Sequence, residues 1–289
     1  MPNRDGFERP AGNGRQAQML DKDFKRFSEF IYSECGIKLP PTKRTLLEAR
    51  LQKRLRVLGM DSFNDYSEYL FSPKGMELEL INLIDVVTTN TTEFFREPKH
   101  FDILTTAVLS HFLAKRQGGE PLRLWSAGCS TGEEPYTLAM VLSEYARLNM
   151  GFRFSILATD ISTQVLGRAF KGIYPEDRVR TMGMDMKKKY LLRSKDRKAG
   201  LVRIMPELRE LVRFERLNFM EEFSFDKPMH IIFCRNVIIY FDRKTQENLL
   251  SRFCDCLAKD GHLFIGHSES ITGMNLPVTQ VAPTVYRRN

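Results

Sequence analysis

The chain has 289 residues, of which 42% are hydrophobic and 28% are charged. This composition is typical of a globular protein, and the length suits either one large α/β domain or a catalytic domain with a small helical one. The five cysteines form no Cys-x-x-Cys pair, which argues against a clustered zinc site and favours a reducing compartment. The sequence shows neither a secretory signal nor an apolar run long enough to span a bilayer. We therefore expect a cytoplasmic protein that binds no metal and does not insert into a membrane.

The formal net charge is +8, and most of it is concentrated in one segment. Residues 171–213 contain thirteen basic and six acidic side chains, a net charge of +7. A second basic face is expected, and it comprises Lys43, Arg44, Arg50, Lys53, Arg54 and Arg56. Such charges either form a solvated surface or attract an anionic partner.

The first part of the chain divides into a polar leader and a helical domain. Residues 1–18 are rich in Gly, Asn and Arg, which predicts a disordered leader. Apolar stripes at helical spacing then follow, the first of them between Asp21, the candidate N-cap, and Gly36, the predicted stop. Three further stripes of this kind predict a small all-α domain over residues 19–90.

From residue 122 onward, short apolar strands alternate with helices, which is typical of a parallel α/β sheet. Strands are predicted at 122–127, 154–159, 212–218, 230–234 and 262–266, and helices at 134–145, 162–170 and 243–257. The segment from about 173 to 211 interrupts this alternation and holds one strand-like run at 201–205. We interpret residues 91–289 as a Rossmann-like domain with a small β-subdomain inserted at about 173–211.

The turn after the first predicted strand is built from small residues. Its glycines, Gly128 and Gly132, are spaced differently from the dinucleotide-binding fingerprint, and no P-loop lysine follows them. Glu133 and Glu134 come next, at the start of a helix. Two acids would repel a pyrophosphate but suit a ligand that carries an ammonium and a sulfonium. They could equally cap the helix and favour its dipole.

Polar side chains also mark the ends of two other strands and one loop. Asp160 follows the second strand, where it could accept both hydroxyls of a ribose, although Asp160 or Ser162 could instead cap the next helix. Arg235 and Asn236 interrupt an apolar stretch, and burying each without a partner would cost about 1–3 kcal/mol or more. The polar run at 88–92 is either a linker or the lining of a polar ligand site.

Five short segments, taken together, are similar to one known protein family. They are TTNTTEFFRE (88–97), STGEEPY (130–136), DIS (160–162), FCRNVIIYF (233–241) and GHSE (266–269). In order and spacing they resemble the CheR family of S-adenosylmethionine-dependent chemoreceptor glutamate methyltransferases. The similarity extends from about residue 20 to residue 288. It implies a Rossmann-like methyltransferase sheet with a β-subdomain insert, preceded by an all-α domain.

The resemblance also implies roles for individual residues. Asn90, Thr92 and Arg96 would border the methionine end of S-adenosylmethionine and the substrate. Glu134 would hold the methionyl ammonium, Asp160 would hold the ribose, and Asn218 and Phe219 would flank the adenine. Arg235 and Asn236 would lie beneath the sulfonium, and Tyr240 would lie near the methyl group. Arg96 and Tyr240 would be the catalytic residues, because they align the substrate carboxylate.

The implied activity is the formation of glutamyl methyl esters on the cytoplasmic domains of chemoreceptors, by a protein expected to be monomeric. In relatives the β-subdomain grips the receptor's C-terminal tail. Here the preceding loop, residues 194–199, lacks the glycines of several relatives, and the insert could instead only cover the adenine side of the cleft.

Two other functions fit parts of the sequence. The basic charge would suit a nucleic-acid methyltransferase, but the fourth strand ends in Arg235-Asn236-Val237 rather than in Asn/Asp-Pro-Pro-aromatic. We therefore expect no nucleic-acid partner. A regulator that binds the cofactor without transferring its methyl group is the other alternative, and the presence of both Arg96 and Tyr240 argues against it.

Overall fold

The structure is a computed structural model that describes residues 18–115 and 119–289. Of the predicted leader, residues 1–18, all but residue 18 lie outside the described residues. Within the described part of the chain, no helix is both long and apolar enough to cross a membrane.

Four helices form the N-terminal part of the described chain. They are α1 (Asp21–Cys35), α2 (Arg44–Leu58), α3 (Phe63–Leu70) and α4 (Pro73–Val87). Gly36 ends α1 in the left-handed conformation, as predicted, with φ of 71°. The predicted N-cap of α1 was wrong. Asp21 is already the first helical residue, Leu20 is the cap, and the Asp23 carboxylate accepts from the Leu20 N–H at 3.3 Å.

The predicted basic face on α2 is only partly free. Arg54 forms two hydrogen bonds, of 2.6 and 2.8 Å, to Glu79, whose side chain is 2% exposed. Arg44 pairs with Asp21, and Arg50 donates to the Val87 carbonyl. Three of the six basic side chains therefore hold the fold together rather than face an anionic partner.

A helical stretch that the sequence patterns did not predict connects the helical part to the sheet. It consists of α5 (Lys99–Ile103), a π-helical turn (Leu104–Val108) and α6 (Leu109–Lys115). Its buried residues include Phe101, Leu104 and Leu109, which join the core on one face of the sheet.

The main sheet starts with two βα units and is then interrupted by the insert. These units are β1 (Leu122–Ala127), α7 (Glu133–Leu148), β2 (Phe154–Asp160) and α8 (Thr163–Lys171). The insert contains β3 (Ile173–Pro175), α9 (Met184–Tyr190), β4 (Leu191–Arg193), β5 (Leu201–Ile204) and α10 (Pro206–Arg209). Its three strands form a separate antiparallel sheet in the order β3-β5-β4.

The chain then completes the main sheet. The remaining elements are β6 (Val212–Arg216), β7 (Met229–Cys234), α11 (Arg243–Cys256), β8 (Leu257–Ile265), β9 (Val278–Ala282) and β10 (Val285–Arg288). The seven strands are ordered β6-β2-β1-β7-β8-β10-β9. The first five are parallel, while β10 runs antiparallel to both β8 and β9.

This topology confirms the predicted fold class, a Rossmann-like sheet with a β-subdomain insert and a helical N-terminal part. β1 has the predicted bounds, whereas β6 ends at Arg216, two residues early, and β8 already begins at Leu257. Because β1 pairs with β2 on one side and with β7 on the other, the strand order reverses at β1. Ligands bind at the carboxyl ends of the strands at such a switch point.

Candidate cofactor cleft and active site

An open cleft lies at the carboxyl ends of β1, β2 and β7. The space within it, including its open mouth, is about 1050 Å³. The structure brings every site residue predicted from the sequence to its wall: Asn90, Thr92, Arg96, Glu134, Asp160, Asn218, Phe219, Arg235, Asn236 and Tyr240.

The floor of the cleft is the turn after β1. Gly128 has φ of 84°, and a Cβ there would lie 2.5 Å from the Val237 Cγ2 atom, so the turn needs glycine for both conformation and space. Ser130 also has positive φ, 49°. The Gly128 and Cys129 N–H groups donate to the Thr159 carbonyl at 2.8 Å each, which ties this turn to the end of β2.

Asp160 at the end of β2 is buried, with 8% of its surface exposed. Its carboxylate accepts from the Ser130 N–H at 2.8 Å and from the Ser162 N–H at 3.0 Å. Burial raises the pKa of Asp160, although these backbone donors lower it. The N-cap of α8 is Ser162, whose hydroxyl accepts from the Val165 N–H. Of the two residues that could have capped α8, Ser162 does so, and Asp160 is left to face the cleft.

The two acids at the start of α7 point in different directions. Glu134 lines the cleft, where it accepts from the Ser126 hydroxyl and from Arg235 Nε, both at 2.7 Å. The side chain of Glu133 is 1% exposed and pairs with Arg178 of the insert. The N-cap of α7 is Gly132.

Arg235 is the buried arginine whose partners the sequence left open. Its side chain is 2% exposed, and besides Glu134 it contacts Glu97 Oε2 at 3.5 Å and the Arg96 carbonyl at 2.7 Å. Its guanidinium also lies 5.4 Å from the Phe101 ring centroid. The positive charge of Arg235 is thus balanced by Glu134 and Glu97, and of these two acids Glu134 also lines the cleft.

His100 completes this buried network. Its Nδ1 accepts from Arg235 at 3.2 Å, so Nε2 carries the proton and donates to the Thr284 hydroxyl at 2.8 Å. Burial lowers the pKa of His100 to about 4, which keeps the ring neutral. Glu97, His100 and His267 lie close enough together to hold a metal ion, but both nitrogens of His100 are already engaged.

Residues 88–97, here called the site loop, form one wall of the cleft. Asn90 is held at both ends, because its Nδ2 donates to the Thr88 hydroxyl at 3.1 Å and its carbonyl accepts from Ser130 Oγ at 2.9 Å. Arg96 is half-buried and donates to the Thr91 carbonyl at 3.1 Å. Among residues 18–115 and 119–289, no carboxylate lies within ion-pair distance of Arg96.

The opposite wall comes partly from the N-terminal helices, which the sequence did not indicate. Cys35 and Ile37, at the end of α1, line the cleft, and burial raises the pKa of the Cys35 thiol to about 12, so the thiol stays protonated at neutral pH. Asn218 Nδ2 donates to the Glu34 carbonyl at 2.7 Å. The Lys38 N–H donates to the Tyr240 carbonyl at 3.0 Å, so the helical part and the sheet build the cleft together.

Two further acids near the cleft, Glu269 and Glu97, were not predicted as site residues from the sequence. Glu269 accepts from the Asn236 N–H at 2.9 Å and from the Gly266 N–H at 2.6 Å, and burial raises its pKa. These bonds hold Asn236 at a left-handed φ of 60°. Glu97 accepts from the Asn236 side chain at 3.4 Å. Both acids lie in the segments that carry the resemblance, and Glu269 follows the polar end of the fifth predicted strand, but the sequence assigned neither acid a role.

The sheet, its cleft and the matching family model together indicate an S-adenosylmethionine-binding methyltransferase. Residues 90–287 match the family model described as CheR methyltransferase, SAM binding domain, and residues 22–88 match CheR methyltransferase, all-alpha domain. The chain therefore belongs to the CheR methyltransferase family, and its cofactor is S-adenosylmethionine.

Curated relatives agree over nearly the whole chain. The chain is 45% identical to a chemotaxis protein methyltransferase of Borreliella burgdorferi, over 92% of this chain and 94% of that one. It is 40% identical to that of Salmonella typhimurium, over 93% and 90%, and 39% identical to chemotaxis protein methyltransferase 2 of Pseudomonas aeruginosa, over 96% of each chain. The chain is accordingly an S-adenosylmethionine-dependent methyltransferase of chemotaxis.

Proposed function

We propose that this protein transfers a methyl group to glutamate side-chain carboxylates in the cytoplasmic domains of chemoreceptors and so forms methyl esters. The observation that carries the proposal is the state of Arg96. Arg96 lines the cleft, and no carboxylate among the described residues pairs with it. A half-buried guanidinium that has no carboxylate partner among the described residues is suited to a carboxylate from outside the chain.

The residues of the cleft fit the cofactor. The Glu134 carboxylate suits the methionyl ammonium, and Asp160 suits the two ribose hydroxyls, because both face the cleft with lone pairs that their internal donors do not use. Asn218 and Phe219 would flank the adenine, while Asn90, Thr92 and Asn236 would border the methionine end. Arg235 would orient Glu134 from behind.

When bound, the cofactor supplies an activated, cationic methyl donor. A glutamate has a reference pKa of about 4.3 and is ionised at neutral pH, so the enzyme needs no general base. The remaining task is alignment, which can lower a barrier substantially. Arg96 would hold one carboxylate oxygen and leave the other free to attack, and the Tyr240 hydroxyl would fix the orientation.

The insert would hold the receptor's C-terminal tail. A groove on it is lined by Glu176, Arg193, Lys195, Arg197 and Leu201, among others. β4 is an edge strand of the small sheet, and an edge strand can pair with an extended peptide. The surplus of basic residues favours an acidic tail. Deletion of the tail should reduce methylation at limiting receptor concentration, and added salt should weaken tail binding.

Transfer of labelled methyl from S-adenosylmethionine to a receptor cytoplasmic fragment tests the catalytic proposal. We expect label that is released by mild base, as an ester requires, and no label in a fragment whose acceptor glutamates are replaced by alanine. A matched incubation with RNA or DNA should remain unlabelled. Label that resists base, or label in the nucleic acid alone, would refute the proposal.

A further inference from the structure

We propose that Arg178, a residue of the insert, is a positioning residue for methyl transfer that fixes the site loop to the start of α7. The inference rests on the proposed function, because it concerns the same cleft. It gives the insert a role inside the active site that is separate from tail docking.

The site loop has a conformation that needs outside support. Phe95 and Glu97 both have positive φ, 58° and 56°, a region that non-glycine residues rarely occupy and that is costly for a bulky side chain. Such a backbone persists only where surrounding contacts determine it. Arg235 supports the loop at the Arg96 carbonyl, and Arg50 supports its beginning by donating to the Thr89 hydroxyl at 2.8 Å.

Arg178 supports the middle of the loop. Its Nη2 donates to the Thr92 carbonyl at 2.6 Å, and the same guanidinium pairs with Glu133. The side chain of Glu133 is only 1% exposed and also accepts from the Thr131 hydroxyl at 2.6 Å. A buried carboxylate needs a counter-charge, so Glu133 fixes the guanidinium in place, and the guanidinium in turn fixes Thr92.

A second residue of the insert reinforces this connection. The Tyr174 hydroxyl donates to the Thr131 carbonyl at 2.7 Å, and its ring lies edge-on to Phe94, with centroids 5.0 Å apart. Tyr174 and Phe94 are both buried. The insert therefore contacts the turn after β1 and the site loop at once.

The consequences for the two ligands differ. Thr92 and Arg96 belong to the loop that Arg178 supports, whereas Glu134 and Asp160 are held by Ser126, Arg235, Ser130 and Ser162. Loss of Arg178 should displace Arg96, the group assigned to the substrate carboxylate, together with the Thr92 contact to the methionine end, and should leave the cofactor contacts of Glu134 and Asp160 in place. Because small misplacements are costly in alignment-driven catalysis, kcat should fall about 10- to 100-fold.

The test compares three variants on a receptor fragment without its tail, so that docking does not contribute. In Arg178→Met/Glu133→Gln both charges are removed, which avoids a buried unpaired carboxylate. We expect this double variant to fold and to bind S-adenosylhomocysteine with an affinity within a few-fold of that of the wild type. Its kcat should fall by the factor of about 10 to 100 given above. Arg178→Lys should recover part of the loss, since an ammonium can still pair with Glu133. Arg180→Ala, which removes an exposed arginine two residues away, should match wild type.

Amide exchange separates this inference from the proposed function. The Phe95 N–H donates to the Thr137 hydroxyl at 3.2 Å, and exchange in residues 88–97 should accelerate in the double variant but not in Arg180→Ala. This readout needs no receptor, so it stands even if the receptor is not the substrate. Unchanged exchange and unchanged kcat in the folded double variant would overturn the inference. An equal loss of kcat, cofactor affinity and melting temperature, without recovery in Arg178→Lys, would also overturn it, because it would indicate a merely structural pair.

Discussion

Clefts rich in ionisable groups lie at both ends of the parallel strands, but the two clefts differ in how those groups are paired. The carboxyl ends of the strands are here called the carboxyl edge of the main sheet, and the amino ends are called the amino edge. At the carboxyl edge, Glu134 and Arg235 form a buried pair beside an Arg96 that has no carboxylate partner within the described residues. At the amino edge, a second cleft is lined by His111, His230 and His262, three of the five histidines in the chain.

Two histidines of the amino edge, His230 and His262, are neutral near pH 7. Burial lowers the pKa values of His230 and His262 to about 4, and His230 Nδ1 accepts from the Arg123 N–H at 2.9 Å. These two histidines thus remain uncharged, while Lys115 pairs with Asp260 at the surface and Lys259 is exposed to solvent. The candidate active site is distinguished by a half-buried guanidinium that has no carboxylate partner among the described residues, rather than by a density of titratable residues.

The largest effect should come from breaking the buried pair of the carboxyl edge. Arg235→Ala leaves Glu134 and Glu97 without their counter-charge, which should destabilise the fold by about 3–5 kcal/mol and abolish cofactor binding. The matched change at the amino edge, Lys115→Ala, breaks a pair whose side chains are 55% and 30% exposed, so solvent screens it and its loss should cost far less. Chemical denaturation measures both. Similar costs would remove the distinction between the edges.

Arg96→Ala should give the next largest effect, on catalysis alone. Its guanidinium makes one backbone hydrogen bond and no ion pair among the described residues, so its removal leaves no buried charge behind. We expect methyl transfer to fall about 100-fold, as misalignment of the substrate requires, with cofactor affinity changed only a few-fold. Steady-state kinetics with calorimetry on S-adenosylhomocysteine separates these quantities. Near-normal turnover would show that Arg96 does not hold the substrate.

Asp160→Ala should act on the cofactor instead. The loss of charge-assisted hydrogen bonds to a ribose should cost about 1.5–3 kcal/mol, or roughly 10- to 100-fold in affinity. Removal of a buried carboxylate whose pKa is raised should leave the fold intact. Calorimetry on S-adenosylhomocysteine measures the affinity, and circular dichroism checks the fold. An unchanged affinity would exclude Asp160 from the ribose site.

The smallest effect concerns the amino edge and appears only in acid. The folded pKa of His262, about 4, lies below its ordinary value of 6.5. Its contribution to stability is therefore complete above about pH 6.5 and is lost as the pH falls towards 4. His262→Gln should reduce the decline of the melting temperature over this interval. If the variant and the wild type decline with the same slope, protonation of His262 does not contribute.

The same contrast explains what the sequence could and could not reveal. Gly128, Asp160 and Arg235 were recognisable because they interrupt or end apolar strands, and strand ends of a parallel sheet converge. The Arg178–Glu133 pair and the contact between Glu97 and Asn236 join residues 45 and 139 positions apart. Periodicity reports on neighbours within one element and contains no information on such pairs. The stretch 99–115 was missed because it consists of two short helices joined by a π-helical turn.

The most direct test of the central claim is to identify the methylated atom. A receptor cytoplasmic fragment incubated with this protein and S-adenosylmethionine would be digested and sequenced by mass spectrometry, with Arg96→Ala as the control. We predict one added methyl on glutamate side chains, present with the wild type and strongly reduced with Arg96→Ala. Methylation on a nitrogen atom, or an unmodified fragment alongside tight binding of S-adenosylhomocysteine, would contradict the account.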